Sequence, residues 1–143
     1  MAKRSFLDFA MSDYAAAKLM LNNGFYDHCA RLCHQTIEKY FKHIIEKEGK
    51  TTDAILLRSH KVHQLYDRIT AILAIPVDKT VRSDLATISD YYFDNNYPGD
   101  SYSAVMQQEA ENTIKIVNDI ISSIGPGFHA VDTVETEKSG KSP

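Results

Sequence analysis

The chain has 143 residues, 43% of them hydrophobic and 24% charged, with 16 basic and 19 acidic side chains and a net charge of −3. A domain of this size buries roughly 70% of the surface its unfolded chain exposes, so it needs no disulfide staples, and two separate cores would be marginal. A weakly acidic chain lacks the net positive field that drives sequence-independent phosphate binding, which argues against a free-standing nucleic-acid binder.

The first predicted element is a helix over about residues 5–22, where Phe6, Phe9, Ala10, Ala17, Met20 and Leu21 recur mostly at spacings of three or four and Asn22-Asn23-Gly24 supplies a C-terminal stop. The second, about residues 26–48, has the clearest period. Cys29, Leu32, Cys33, Thr36, Ile37, Tyr40, Phe41, Ile44 and Ile45 form one apolar stripe, and Gly49 closes it. Glu38 with Lys42, and Glu46 with Lys50, are i,i+4 pairs in the favourable order, and the stripe assigns them to the outer face. A polar connector over residues 50–58 leads to a third helix with Val62, Leu65, Tyr66, Ile69, Ile72 and Leu73, for which Ser59 is the expected N-cap. After the break at Ile75-Pro76-Val77, Asp78 caps a fourth helix carrying Val81, Leu85, Ile88 and Tyr92, which must stop before Pro98. The fifth, about residues 103–124, places Met106, Ala110, Thr113, Val117, Ile120 and Ile124 on one face.

No segment alternates with period two beyond a few residues, and no proline falls between Ala2 and Ile75. The expected fold is therefore all-α, an up-and-down antiparallel bundle of four to five helices over residues 1–124. Residues 125–143 lose all periodicity and are rich in Gly, Ser, Lys, Glu and Pro, which predicts a disordered tail. That tail carries two Lys against one Asp and two Glu, so the bundle itself has a net charge of −2 and no global attraction for RNA. No apolar run is long enough for a signal peptide or a membrane span, and the expected location is cytoplasmic.

Cys29 and Cys33 lie i,i+4 on the apolar stripe, whereas His28 and His34 point elsewhere on the helix, so the thiols are read as core residues. Neither a metal nor a cofactor is expected. The sequence holds no phosphate-cradling glycine loop, nucleophile elbow or metalloprotease motif. Its most unusual composition lies between Tyr91 and Tyr102, where five of fourteen aromatic residues are interleaved with Asp and Asn. Tyr91, Tyr92 and Phe93 span about 200° of a helix, so they cannot all face one core. Two readings stay open: a turn with Tyr92 and Tyr97 as core anchors, or a polar-aromatic pocket built from Tyr91, Asn95, Asn96, Tyr97 and Asp100.

Several stretches together resemble the HEPN family, small all-α domains named for higher eukaryotes and prokaryotes nucleotide-binding. Residues 13–27 resemble its opening pattern, a helix ending in glycine followed by an aromatic residue that starts the long second helix. His34-Gln35-Thr36-Ile37-Glu38-Lys39-Tyr40-Phe41-Lys42 is similar to its most recognisable segment. Ser59-His60-Lys61-Val62-His63-Gln64-Leu65 resembles the His-containing start of its third helix, and Tyr97-Pro98-Gly99-Asp100 resembles a Tyr-Pro turn usually preceded by Arg. The resemblance covers about residues 5–124 and implies a helical bundle, often a two-fold dimer. Many bacterial members are encoded beside a minimal nucleotidyltransferase, and another branch consists of metal-independent RNases.

That RNase branch carries an Arg and, four to six residues later, a His near the start of the last long helix. Here Asn96 stands in place of the Arg, and no His occurs between His63 and His129. A formal match, Arg58 with His63, lies at the start of helix three instead, and its bare spacing is common enough to arise by chance. The first reading is thus a non-catalytic HEPN binding or partner module, homodimeric, that binds a nucleotide or acts with a minimal nucleotidyltransferase. Its ligand groups are Gln35, Glu38, Lys39 and Lys42, with Lys39 and Lys42 placed to meet a phosphate and a tyrosine between 91 and 97 to stack on a base. The alternatives are an RNase of toxin type using Arg58 and His63, or a purely structural oligomerising subunit.

Overall fold

The computed structural model describes residues 4–96 and 105–124. Among the described residues five α-helices form the bundle: α1 (Phe6–Asn22), α2 (Tyr26–Glu48), α3 (Val62–Leu73), α4 (Lys79–Asn96) and α5 (Gln107–Ser123). Every other helix packs against α2, which is the axis of the bundle. Its sequence permits this because a broad apolar face runs along its length: Cys29, Ala30, Cys33, Ile37, Phe41 and Ile44 are all fully buried.

Helix α1 begins with a capping box. The Ser5 hydroxyl accepts the Asp8 N–H and the Asp8 carboxylate accepts the Ser5 N–H, each at 3.0 Å, which holds the Asp8 carboxyl below its ordinary range. The helix ends at Asn23 and Gly24, whose φ of +82° is a left-handed value that glycine adopts without strain, and the chain turns directly into α2.

The connector after α2 is more ordered than its polar composition suggests. Residues Thr51–Arg58 form a 3-10 helix. Asp53 organises it: one carboxylate oxygen accepts the Lys50 N–H at 2.8 Å, and Arg68 of α3 forks onto both oxygens at 2.7 and 3.1 Å. The Arg68 guanidinium, then the Lys50 amide, keep the Asp53 carboxyl below its usual range.

This segment shifts the start of α3. Ser59, the expected N-cap, instead terminates the 3-10 helix, and its hydroxyl accepts the Lys61 N–H at 3.1 Å; α3 starts after Lys61 with no side-chain cap. Asp78 does cap α4, accepting the Thr80 and Val81 N–H groups at 2.8 and 3.4 Å, while its own N–H is held by the Tyr66 hydroxyl at 2.9 Å.

Helix α5 starts later than the periodicity predicts. Val105, whose N–H binds the Asp27 carboxylate at 2.8 Å, fills the core position, and Met106 is 64% exposed rather than on the buried face. Ala110, Thr113, Val117, Ile120 and Ile124 are buried as the spacing predicts. The residues assigned to a disordered tail, 125–143, and residues 97–104 lie outside the described residues. Among the described residues no helix is long and apolar enough to cross a membrane.

Gly49 is required by close approach rather than by its φ. A Cβ there would lie 2.5 Å from the Ile45 carbonyl oxygen and 3.0 Å from the Asp53 carboxylate. Gly49→Ala should therefore destabilise the fold by about 1–3 kcal/mol in a urea titration. A change under about 0.5 kcal/mol would contradict the crowding at this corner.

Candidate functional site

The polar residues of α2 separate into two networks that diverge from neighbouring positions. The first is buried. Glu38 and Lys42, assigned from the sequence to the outer face, have side chains only 2% and 5% exposed and meet at 3.0 Å. The difference has a physical origin: the 3-10 segment and the other helices pack on most sides of α2, so the flank bearing Glu38 and Lys42 is covered as well. Both Glu38 oxygens also lie 3.1–3.2 Å from Nδ1 of His60, on the chain just before α3. The buried carboxylate therefore meets a lysine of its own helix and a histidine from the next segment, and this pairing makes its burial tolerable.

The second network reaches the surface. The Lys39 ammonium donates to Gln35 Oε1 at 3.0 Å, and Gln35 Nε2 donates to the Tyr92 hydroxyl of α4 at 3.2 Å. The Tyr92 ring stacks on His34, centroids 4.1 Å apart and planes 15° from parallel. His34 is fully buried. Burial holds its imidazole down to about 4, against an opposing pull from Glu38 and with small contributions from His60 and Lys39 in the same direction as burial. It is therefore neutral at pH 7 and suited to an apolar stacking contact.

Lys39 is half-buried, and among the described residues no carboxylate lies within ion-pair distance of it. Asp13, on the facing part of α1, senses it only at longer range: burial raises the Asp13 carboxyl and Lys39 partly opposes that. A cation held by a neutral amide keeps its capacity for an anion.

The other sequence-derived candidates are dispersed. Tyr91 turns away from Tyr92, as the 100° step between consecutive helical residues requires, and lines a hollow of about 530 Å³ with Glu109, Asn112 and Lys115 of α5. Burial, and then Glu109, raises its phenol above the ordinary value. Asn95 and Asn96 belong to the last turn of α4, and Tyr97 and Asp100 lie outside the described residues. Arg58 ends the 3-10 helix and His63 sits in the first turn of α3. Both are exposed, and no hydrogen bond joins them. Cys29 and Cys33 are fully buried, the core position predicted for them; contact with Cys29 and burial push the Cys33 thiol up.

Sequence reasoning missed two features: His34, set off the apolar stripe by its spacing, is fully buried against Tyr92, and Glu38 is linked to His60 across 22 residues. The available signal was a histidine at the start of helix three in a chain with a glutamate among the apolar residues of helix two.

A family model described as HEPN domain matches residues 4–125. No curated protein and no solved structure matches the chain.

Removing one partner of the buried pair should be costly. Glu38→Ala, which leaves the Lys42 ammonium buried opposite no carboxylate, is expected to lose about 3–5 kcal/mol of unfolding free energy. The double variant Glu38→Leu with Lys42→Met should recover most of that loss, and additive losses in a double-mutant cycle would refute the coupling.

His34 makes stability pH-dependent. Its folded value near 4 lies below the ordinary 6.5, so the unfolded chain binds more protons between these limits. This contribution is complete above about pH 6.5 and declines as the pH falls toward 4, by up to about 3 kcal/mol. Denaturant melts at pH 7.5 and 4.5 should show the decline, and His34→Phe, which keeps an aromatic ring against Tyr92, should flatten it.

Proposed function

The chain belongs to the HEPN domain family, and on that premise we propose that it is a non-catalytic binding module whose ligand is a nucleotide. The ligand face is the seam between α2 and α4, where Lys39, Gln35 and Tyr92 are linked in series. The observation that carries this reading is Lys39. It is the one charged member of that chain of hydrogen bonds, and it is held in place by an amide instead of a carboxylate. A phosphate oxygen arriving there gains a charge-assisted bond and displaces no ion pair. Glu38 and Lys42 support the face from beneath, since each is already bound to the other and Glu38 also to His60.

The net charge of −2 over residues 1–124 favours a small ligand over a long polyanion. Family membership supports two further parts of the reading, a homodimer and a minimal nucleotidyltransferase as the partner. The RNase alternative gains nothing from Arg58, exposed at the end of the 3-10 helix, and His63, exposed in the first turn of α3, since no hydrogen bond joins them.

Calorimetric titration of the full chain with ATP tests the proposal. Binding is expected, and Lys39→Gln should weaken it at least about tenfold, the value of one lost charged hydrogen bond, with an unchanged melting temperature. No heat at millimolar ATP would overturn it.

A further inference from the structure

Where α1 turns into α2, the surface holds a cleft of about 420 Å³ lined by Met20, Phe25, His28, Arg31, Leu32 and Gln35. Its composition is that of a small-molecule site, apolar walls with a few convergent polar groups. Phe25 is 53% exposed, an unusual position for so large an apolar ring, and its edge meets the His28 ring with centroids 6.1 Å apart. His28 Nδ1 lies 2.9 Å from Arg31 Nη2. A guanidinium has only donors, so Nδ1 is the acceptor in this contact and Nε2 is left to donate. Both side chains therefore offer donors to an incoming group.

Among the described residues Arg31 has no carboxylate within ion-pair distance, and its Nε–H is buried without an acceptor. Asp27, the nearest acidic residue in sequence, binds the Val105 N–H; it does not line this cleft but shares an adjoining hollow with Phe25, His28 and Arg31. Gln35 is shared: it lines the cleft and also holds Lys39. Along α2 the order is His28, Arg31, Gln35, Lys39, so Arg31 and Lys39 are separated by eight residues, about 12 Å of helix.

We infer that this cleft is the nucleoside monophosphate subsite, with the base against Phe25 and the first phosphate on Arg31 and His28, the remaining phosphates running past Gln35 toward Lys39. The inference rests on the nucleotide-binding reading and adds a direction to it. The base end lies at the turn between α1 and α2, and the phosphate end lies at the seam with α4. An exposed ring beside an arginine is what a base and its phosphate require, because stacking is tolerant of base identity and the guanidinium supplies a fork for phosphate oxygens.

Titrations of the full chain with adenosine, AMP and ATP test it, with Phe25→Ala, His28→Ala, Arg31→Gln and Lys39→Gln compared and melting temperatures checked. Arg31→Gln should weaken AMP and ATP by the same factor, at least tenfold, whereas Lys39→Gln should weaken ATP and leave AMP within twofold. Phe25→Ala should abolish the weak binding of adenosine. His28→Ala, a change at an exposed position, serves if Arg31→Gln lowers the melting temperature, and should also weaken AMP. If AMP binds equally to wild type, His28→Ala and Arg31→Gln while Lys39→Gln still weakens ATP, the cleft assignment fails and the nucleotide reading stands. If wild type binds neither AMP nor ATP, both fail.

Discussion

The carboxylate of Glu38 sits in the middle of the central helix with almost no access to water, and the surrounding structure has to satisfy it. An ionised carboxylate in such a place costs several kcal/mol unless its oxygens are paired. One partner, Lys42, comes from the next turn of the same helix, and the other, His60, comes from the far end of the 3-10 segment. The second contact is possible only if the chain after α2 folds back over that helix before α3 begins. The fork between Asp53 and Arg68 holds the same segment from its other end, tying the 3-10 helix to α3. Two polar contacts thus fix how α3 approaches α2, and the apolar residues Val62, Leu65 and Ile69 then complete the core.

With its charged pair turned inward, α2 presents a different set of side chains to solvent than its sequence suggests. Gln35 and Lys39 lie beside the buried pair and reach α4 through Tyr92. His34, neutral because it is buried, provides the flat surface on which that tyrosine rests. The seam therefore rests on a buried aromatic stack, and Lys39 is the charged member of its chain of hydrogen bonds.

Much of this was legible from spacing alone. The limits of α2 follow from its apolar period and from Gly49, and those of α1 from its period and the Asn-Asn-Gly stop, because local signals of capping and periodicity act within a few residues. The 3-10 helix was not legible, since its order comes from Asp53 meeting Arg68, fifteen residues away. The placement of Glu38 and Lys42 was misread for a related reason. An i,i+4 ion pair reads as solvated on any helix with one apolar stripe, and only the packing of other elements around α2 shows that the flank bearing Glu38 and Lys42 is covered while Gln35 and Lys39 stay at the surface. Met106 failed similarly: it has the right period for the core, but Val105 is anchored by Asp27 and occupies that place.

The amino-acid sequence by itself determined the helices, the core stripe with its two thiols, the resemblance that the family match bears out, and the polar residues gathered on the second helix. These are properties of short windows, where side-chain period and capping chemistry decide the outcome. Only the tertiary structure decided which of those polar residues face water. It drew Glu38 and Lys42 into the interior with His60, left Lys39 at the surface, and sent Tyr91 and Tyr92 toward different neighbours. The physical reason is that burial is a property of the whole assembly: the environment of a side chain on a central helix is set by elements that the local sequence does not contain.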